Sequence, residues 1–274
     1  MKTTVIFFDA GGTLFRPYPS VGDVYARVAA RHGVQVEAVK VEKAFHDHWH
    51  RRNGMTTLAG LSSEKIEKEW WCGLVRDVFG NLAEFDDFDR FFQELYELFA
   101  RAECWRLFDD TVPALEALKQ RGIRMGIISN WDHRLFSIVE QLGLSHFFEQ
   151  VTASSAVGVA KPGRRIFEAA LESMGAEAAH SLHVGDSLED DYHGASRAGI
   201  RPVFLDRHRK YALPSSQPSP ILRTGEGAKS PRPPARRERV RVRARGALTK
   251  NPTIHYNDLV VIHTLADLSN LLNA

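Results

Sequence analysis

Cysteine is scarce: Cys72 and Cys104 are the only two in 274 residues. That is too few for a disulfide framework and fits a reducing compartment, although a single bridge stays open. Long apolar runs are missing as well. The stretch after Lys2 is broken within a few residues by Asp9, too short for the core of a secretory leader. No later run approaches the roughly 20 residues that a membrane span needs, so we expect a cytoplasmic protein with no membrane partner. A strong net charge is absent too, the balance being only +2, but the charge is segregated. Ala212 to Lys250 hold ten Lys/Arg against two Asp/Glu, which leaves 26 against 32 elsewhere. The globular part is therefore mildly acidic and one segment alone is basic.

What is present is ordinary for a folded enzyme-sized chain, 43% hydrophobic and 26% charged, long enough for one large domain or two smaller ones. Short β-rich runs are expected at Thr4–Phe8, Arg124–Ser129, Gln150–Ala153, Ser181–Val184, Pro202–Leu205 and Leu259–Ile262. Amphipathic stretches separate them at Thr111–Gln120, His133–Leu142, Arg164–Met174 and Leu188–Ala198, several ending at a glycine suited to a left-handed C-cap. Such alternation predicts an α/β fold with a Rossmann-like, doubly wound parallel sheet. From about Val21 to Arg101 the strands lapse into helical periodicity at Val24–Arg31, Val36–His50, Ser63–Phe79 and Phe88–Arg101. This predicts an inserted four-helix cap, residues 17–104, over a core formed by 1–16 and 105–274. It would lie above the carboxyl ends of the strands, where open α/β folds bind ligands. Residues 212–252 interrupt the core. Leu213 to Pro252 contain seven of the twelve prolines and few large apolar residues, a composition expected to be disordered. Because a longer surface connection costs little entropy, removing about 212–250 is expected to leave fold and activity intact. The Arg-rich stretch 223–245 is the only candidate nucleic-acid contact, but it lacks interleaved aromatics and a recognisable module, so no such partner is expected.

Four polar clusters fall at strand ends: Asp9 to Thr13, Ser129 with Asn130, Lys161, and Gly185–Asp186 with Asp190 and Asp191. In a parallel sheet the strand ends of one edge converge, so distant residues can share one site. Aspartate can serve as a covalent nucleophile toward phosphorus. A second Asp suits a hard cation, which prefers oxygen ligands. Lysine and a hydroxyl balance charge on a transferring phosphoryl group.

The segments FFDAGGTL (7–14), IISN (127–130), AKPGRRIF (160–167) and HVGDSLEDD (183–191), in this order, resemble the haloacid dehalogenase superfamily of hydrolases. The resemblance spans about Met1 to Asp206 and returns from about Leu259 to Leu272. It implies a Mg²⁺-dependent phosphatase acting on a small phosphorylated metabolite as a monomer or homodimer. Carried onto this chain, it makes Asp9 the nucleophile and places Mg²⁺ on Asp9, the Gly11 carbonyl and Asp186. Asp191 supports the metal's water shell or orients Lys161, with Asp190 a neighbouring candidate. Thr13, Ser129 and the Asn130 backbone N–H bind phosphoryl oxygens, and Lys161 neutralises charge between nucleophile and phosphate.

Gly11 departs from the pattern, since phosphatases of this family usually carry a second Asp there as acid and base. General acid–base catalysis contributes roughly 10²–10⁴-fold, so the loss matters least for good leaving groups such as acyl or aryl phosphates. Two other readings tolerate Gly11: a metal-independent dehalogenase-type hydrolase, and a non-catalytic phosphometabolite-binding protein. The dehalogenases read DAYGTL here, use no Mg²⁺ and lack a counterpart of Gly185–Asp186, which favours phosphoryl chemistry.

The remaining features have plainer explanations. Trp49, Trp70, Trp71, Phe79 and the Phe85–Phe92 group are expected in the cap core rather than around substrate. His46, His48 and His50 do not share a helix face, which argues against a metal site. Arg51, Arg52 and Asn53 suit a solvated helix end. Asp132 and Arg134 either touch the site or cap the helix that follows. Cys72 and Cys104 are expected to be inert.

Overall fold

Strand residues alternate between the two sides of a central sheet. Ile6 and Phe8 enter one buried cluster with residues of the helices on that side, Ala114, Leu115, Leu135 and Ile138 among them. Val5 and Phe7 enter another with Ile166, Phe167, Ala170 and Ala195. All four strand side chains are at most 1% exposed, so β1 is apolar on both faces and no polar face is left for solvent. Each such side chain contributes about 1.5–3 kcal/mol by leaving water.

The computed structural model describes residues 3–52, 54–55, 62–210 and 259–273. The Pro- and Arg-rich segment expected to be disordered, like Asn53, lies outside them. The strands are β1 (Val5–Phe8), β2 (Phe15–Pro17), β3 (Trp105–Leu107), β4 (Arg124–Ser129), β5 (Gln150–Ala153), β6 (Ser181–Gly185), β7 (Arg201–Leu205) and β8 (Val261–Ile262). The helices are α1 (Val21–Arg31), α2 (Ala38–Arg51), α3 (Glu64–Phe79), α4 (Phe88–Leu98), α5 (Thr111–Gln120), α6 (Arg134–Gln141), α7 (Ser154–Val157), α8 (Arg164–Met174), α9 (Gly194–Arg197) and α10 (Asp267–Leu271). Six strands form one sheet in the order β5-β4-β1-β6-β7-β8, with every pairing parallel. The expected doubly wound α/β fold is therefore present. Strand–helix alternation resumes where expected: β8 pairs with β7, and the Arg121 guanidinium donates to the Ser269 carbonyl of α10.

Helices α1 to α4 supply a separate apolar cluster containing Val24, Tyr25, Leu74, Phe79, Phe91 and Leu95. Their ends follow local chemistry. Ser20 caps α1 by accepting from the Asp23 N–H, so that helix starts at Val21 rather than Val24. Ser63 caps α3 in the same way through the Ile66 N–H. Gly175 closes α8 at φ 54°, the left-handed region that glycine enters without strain.

Two features depart from expectation. The chain enters and leaves the helical layer through an antiparallel ladder, β2 with β3, of three residues a side. Three residues are too few to display a strand period. The stretch expected as one helix from Leu188 opens instead with a π-helical turn, Leu188–His193, before α9. There the Asp191 and Tyr192 N–H groups both donate to the Ser187 carbonyl. Among the described residues no helix is long and apolar enough to cross a membrane.

Candidate active site

β1 lies between β4 and β6, so the residues just past its tip sit beside the tips of both neighbours. Asp9 occupies that position, its N–H held by the Val184 carbonyl at 2.8 Å. The Ser129 hydroxyl at the end of β4 donates to Asp9 Oδ1 at 2.9 Å. Lys161 arrives from the loop between α7 and α8, and its ammonium is fully committed. It donates to Asp9 Oδ1 (2.7 Å), Asp191 Oδ1 (2.6 Å) and the Ile128 carbonyl (3.0 Å). Three donors meet three acceptors, which is how a lysine 2% exposed stays charged.

Asn130 fixes this loop through its side chain. Its Nδ2 donates to the Lys161 carbonyl at 2.9 Å and its Oδ1 accepts from the Lys161 N–H at 2.6 Å. The π-helical turn has a matching effect on Asp191. It directs that carboxylate inward to Lys161 and the Ser187 N–H, while Asp190 stays half-buried at the cavity wall. Single-turn π-bulges are frequent at functional sites.

Two residues contribute that sequence reasoning passed over. His183 is fully buried on β6, and its Nε2 lies 2.9 Å from Asp191 Oδ1. An ionised carboxylate only accepts, so Nε2 carries the proton. Burial holds the imidazole pKa low, against the pull of Asp191, and the ring stays neutral. Arg207 is the second, donating to the Thr13 carbonyl at 2.7 Å and to Asp110 at 3.0 Å, which pins the loop after β1. His183 lies in a strand buried at every position, and a histidine within the run before Gly185 was the available signal.

Electrostatically the site holds too many acids. Asp9, Asp186 and Asp191 each offer one oxygen within 4.8 Å of the others, the only such acidic or histidine cluster among the described residues. Burial would raise the Asp191 pKa, but Lys161 and His183 outweigh it and hold that carboxyl well below the usual range. For Lys161, burial is outweighed by Asp191 and Asp9, and the ammonium pKa rises. Asp9 is raised, chiefly by burial and then by Asp191 against Lys161. Asp186 opens to the cleft yet has protein atoms crowded around it. Burial, followed by repulsion from Asp9 and Asp191, lifts its pKa well above 3.8.

Glycines make room for these carboxylates. A Cβ at Gly12, where φ is 83°, would lie 2.3 Å from Asp186 Oδ2, and one at Gly185 would lie 2.1 Å from Asp191 Cγ. Gly11 differs: a Cβ there would stand 3.0 Å from Cζ3 of the Trp131 indole. The Thr13 hydroxyl is buried beside this loop with no hydrogen-bond partner among the described residues.

The cluster forms the floor of a cavity of about 460 Å³ whose walls come from both the sheet edge and the helical layer. Here the sequence expectation needs correction. Trp70, Phe79 and Phe92 belong to the cap core, with Trp49 and Trp71 packed against it as expected, but Trp49, Trp71 and Phe92 also line the cavity. An aromatic on a helix can face either a core or a cleft, and helical spacing does not separate the two. Trp105 on β3 and Trp131 after β4 join them, their rings 5.1 Å apart. The three histidines do diverge: His46 pairs with Glu42, His48 faces Asp77, and His50 reaches the cavity wall. Arg52 pairs with Asp77 at 2.6 Å.

Asp132 and Arg134 do both things expected of them. Asp132 accepts from the Arg134 N–H at the start of α6, while Arg134 lines the cavity. The guanidinium also forks onto both Asp132 oxygens and lies over the Tyr96 ring at 3.6 Å. It donates to the Tyr96 carbonyl, and the Tyr96 hydroxyl donates to Asp132, joining α6 to α4. Burial would raise the Asp132 pKa, but Arg134 outweighs it and the pKa falls below 3.8. Arg134→Met should cost about 3–5 kcal/mol near neutral pH, because it strands a buried carboxylate. The native pair stabilises above the ordinary Asp pKa and loses that effect as pH falls through its depressed value. The stranded carboxylate of the variant also takes up a proton in acid, so the deficit shrinks below pH 3.8, which urea unfolding at pH 7 and near pH 3 will measure.

A parallel α/β core, a helical cap and a strand-tip aspartate bonded to a lysine define a hydrolase class. A profile of the haloacid dehalogenase-like hydrolase family matches residues 3–199, and the chain belongs to that family. It is 34% identical over 204 residues to haloacid dehalogenase-like hydrolase domain-containing protein 3 of Danio rerio, covering 74% of this chain and 84% of that protein. It is 37% identical over 107 residues to a glyceraldehyde 3-phosphate phosphatase of Methanothermobacter thermautotrophicus, 37% of this chain and 45% of that one. Its fold matches the putative HAD-hydrolase YfnB from Bacillus subtilis, a structure bound to magnesium, with a TM-score of 0.66 at 16% identity over 100% of both chains.

Proposed function

We propose that this hydrolase is a Mg²⁺-dependent phosphatase of a small phosphorylated metabolite, working through an aspartyl-phosphate at Asp9. The observation that carries this is the charge of the site: three carboxylates cluster together and a single lysine pairs with two of them, with His183 neutral. A divalent cation and a phosphoryl group suit such a site better than a neutral substrate. The carboxylates of Asp9 and Asp186, with the Gly11 carbonyl, would hold Mg²⁺, which prefers oxygen ligands. When bound it supplies the positive charge that lets a phosphate dianion approach the acids.

The chain's own residues then divide the work. Ser129 and Lys161 both bond Asp9 Oδ1, leaving Oδ2 to attack phosphorus. Asp9 Oδ2 forms the new bond as the bond to the leaving oxygen breaks. Water then adds to phosphorus, the bond to Asp9 breaks, and the carboxylate returns with inorganic phosphate. The unpartnered Thr13 hydroxyl and the Asn130 N–H receive the phosphoryl oxygens, and the Ser129 hydroxyl joins them by turning its one proton away from Asp9 Oδ1. Asp191, with its oxygens taken by Lys161, His183 and the Ser187 N–H, acts as a positioning residue for Lys161. A dehalogenase-type reaction has no use for a third acid at Asp186, which weighs against it. Phosphate release over a panel of monoesters should require Mg²⁺ and cease with EDTA. EDTA-insensitive chloride release from 2-haloacids would overturn the proposal.

A further inference from the structure

Two independent features of the cavity bear on which phosphate ester it accepts. The first is chemical. Gly11 supplies no acid to the leaving oxygen, and the space beside it is bordered by the edge of the Trp131 indole, 3.0 Å from where a Cβ would begin. With no acid at Gly11, a leaving group that departs as a stable anion is favoured. The second is the lining. Above the acidic floor the walls are rich in rings, with Trp49, Trp71, Phe92, Trp105 and Trp131 all on the cavity. The Trp49 and Trp71 rings stack on each other at 5.7 Å and 30°, so the wall they share is aromatic. Among the described lining residues, Lys161 is spent on Asp9 and Asp191 and Arg134 on Asp132. No unpaired lysine or arginine there invites a second anionic group on the substrate.

From this geometry we infer that the substrate is a phosphate monoester of a planar aromatic alcohol, a phenol-type leaving group seated among the tryptophans. The inference rests on the phosphatase reading and deepens it. Asp9 Oδ2 bonds to phosphorus, and the aryl–O–P bond breaks with its electron pair leaving on the phenolate oxygen, so no proton is needed at Gly11. Water then cleaves the aspartyl-phosphate, its protons passing to solvent and phosphate. Aromatic stacking and ring burial favour such a group over an alkyl or sugar alcohol. The same absent residue would also have activated that water, so the second step is slow for every substrate. Aryl esters should therefore show a burst of phenol before steady turnover.

The test compares kcat/KM of the full chain with Mg²⁺ on four esters. 2,4-Dinitrophenyl phosphate and acetyl phosphate have leaving groups of similar acidity, one with a ring and one without. Phenyl and benzyl phosphate both carry a ring, but only phenol leaves readily. The aryl ester should exceed acetyl phosphate at least about tenfold, and phenyl should exceed benzyl at least about 100-fold. Trp71→Ala should lower the aryl-to-acetyl ratio by about tenfold. Gly11→Asp, with the indole edge giving by a few tenths of an ångström, should raise benzyl far more than phenyl. Acetyl phosphate turned over as well as its aryl counterpart, or a ratio unmoved by Trp71→Ala, would overturn the aromatic assignment and leave the phosphatase reading standing. Phosphate release from none of the four, with no labelling of Asp9 by acetyl phosphate, would overturn both.

Discussion

Asp9→Asn should abolish phosphate release, lowering kcat by about 10⁴-fold or more, as removal of a covalent nucleophile does elsewhere. The fold should survive. An amide matches the carboxylate in shape, and its oxygen still accepts from Ser129 and Lys161 in place of Asp9 Oδ1. It also removes one negative charge from a site where burial and Asp191 already push the Asp9 pKa upward. The melting temperature should therefore stay level or rise. Phosphate release, circular dichroism and mass spectrometry of phosphorylated protein check the three parts together. Turnover near the wild-type rate in a folded variant would remove Asp9 as the nucleophile.

Lys161→Met should be costly in both activity and stability. Among the described residues the ammonium is the only counter-charge in direct contact with both Asp9 and Asp191, and both pairs are buried. Removing one partner of a buried ion pair costs about 3–5 kcal/mol. The affected acids will then take up protons, so the loss should be largest above neutral pH and smaller in acid. Activity should fall by about 10²–10³-fold, as when one preorganised charge donor is lost. Lys161→Arg should not rescue it. Three acceptors at 2.6, 2.7 and 3.0 Å surround a compact ammonium, and a planar guanidinium does not fit that cradle. Urea unfolding with phosphate-release rates will separate the two effects. A Lys161→Arg variant that is both stable and active would show that charge alone suffices.

Much of this protein was legible in its sequence, for identifiable reasons. β1 and the Met125–Ile128 part of β4 are continuous apolar runs followed by a polar residue, Asp9 and Ser129, and burial on both sides of a parallel sheet imposes that pattern. The helices of the core announce their ends with glycines such as Gly175. Asp9, Ser129, Lys161 and Asp186 could be named because each follows a strand or marks a turn at the same sheet edge. Local sequence did not disclose which neighbours they touch. Whether Asp190 or Asp191 meets Lys161 depends on a π-helical turn, and one residue of register separates the two answers. The clamp of Asn130 on the Lys161 backbone and the bond from His183 to Asp191 join residues 31 and 8 positions apart.

Hydrophobic periodicity and the four ordered segments determined the α/β class, the helical insertion, the family resemblance and the acidic site, because burial and strand-tip chemistry are written locally along the chain. The walls of the cavity were decided only in three dimensions. Trp49, Trp71, Trp105 and Trp131 come from α2, α3, β3 and the loop after β4, and nothing in their spacing says that they meet. The meaning of Gly11 was decided there too. In sequence it is a missing carboxylate, whereas in the fold its vacant side is bordered by the Trp131 ring. Side chains that are distant in sequence compete for the same volume only after the sheet and the cap have come together.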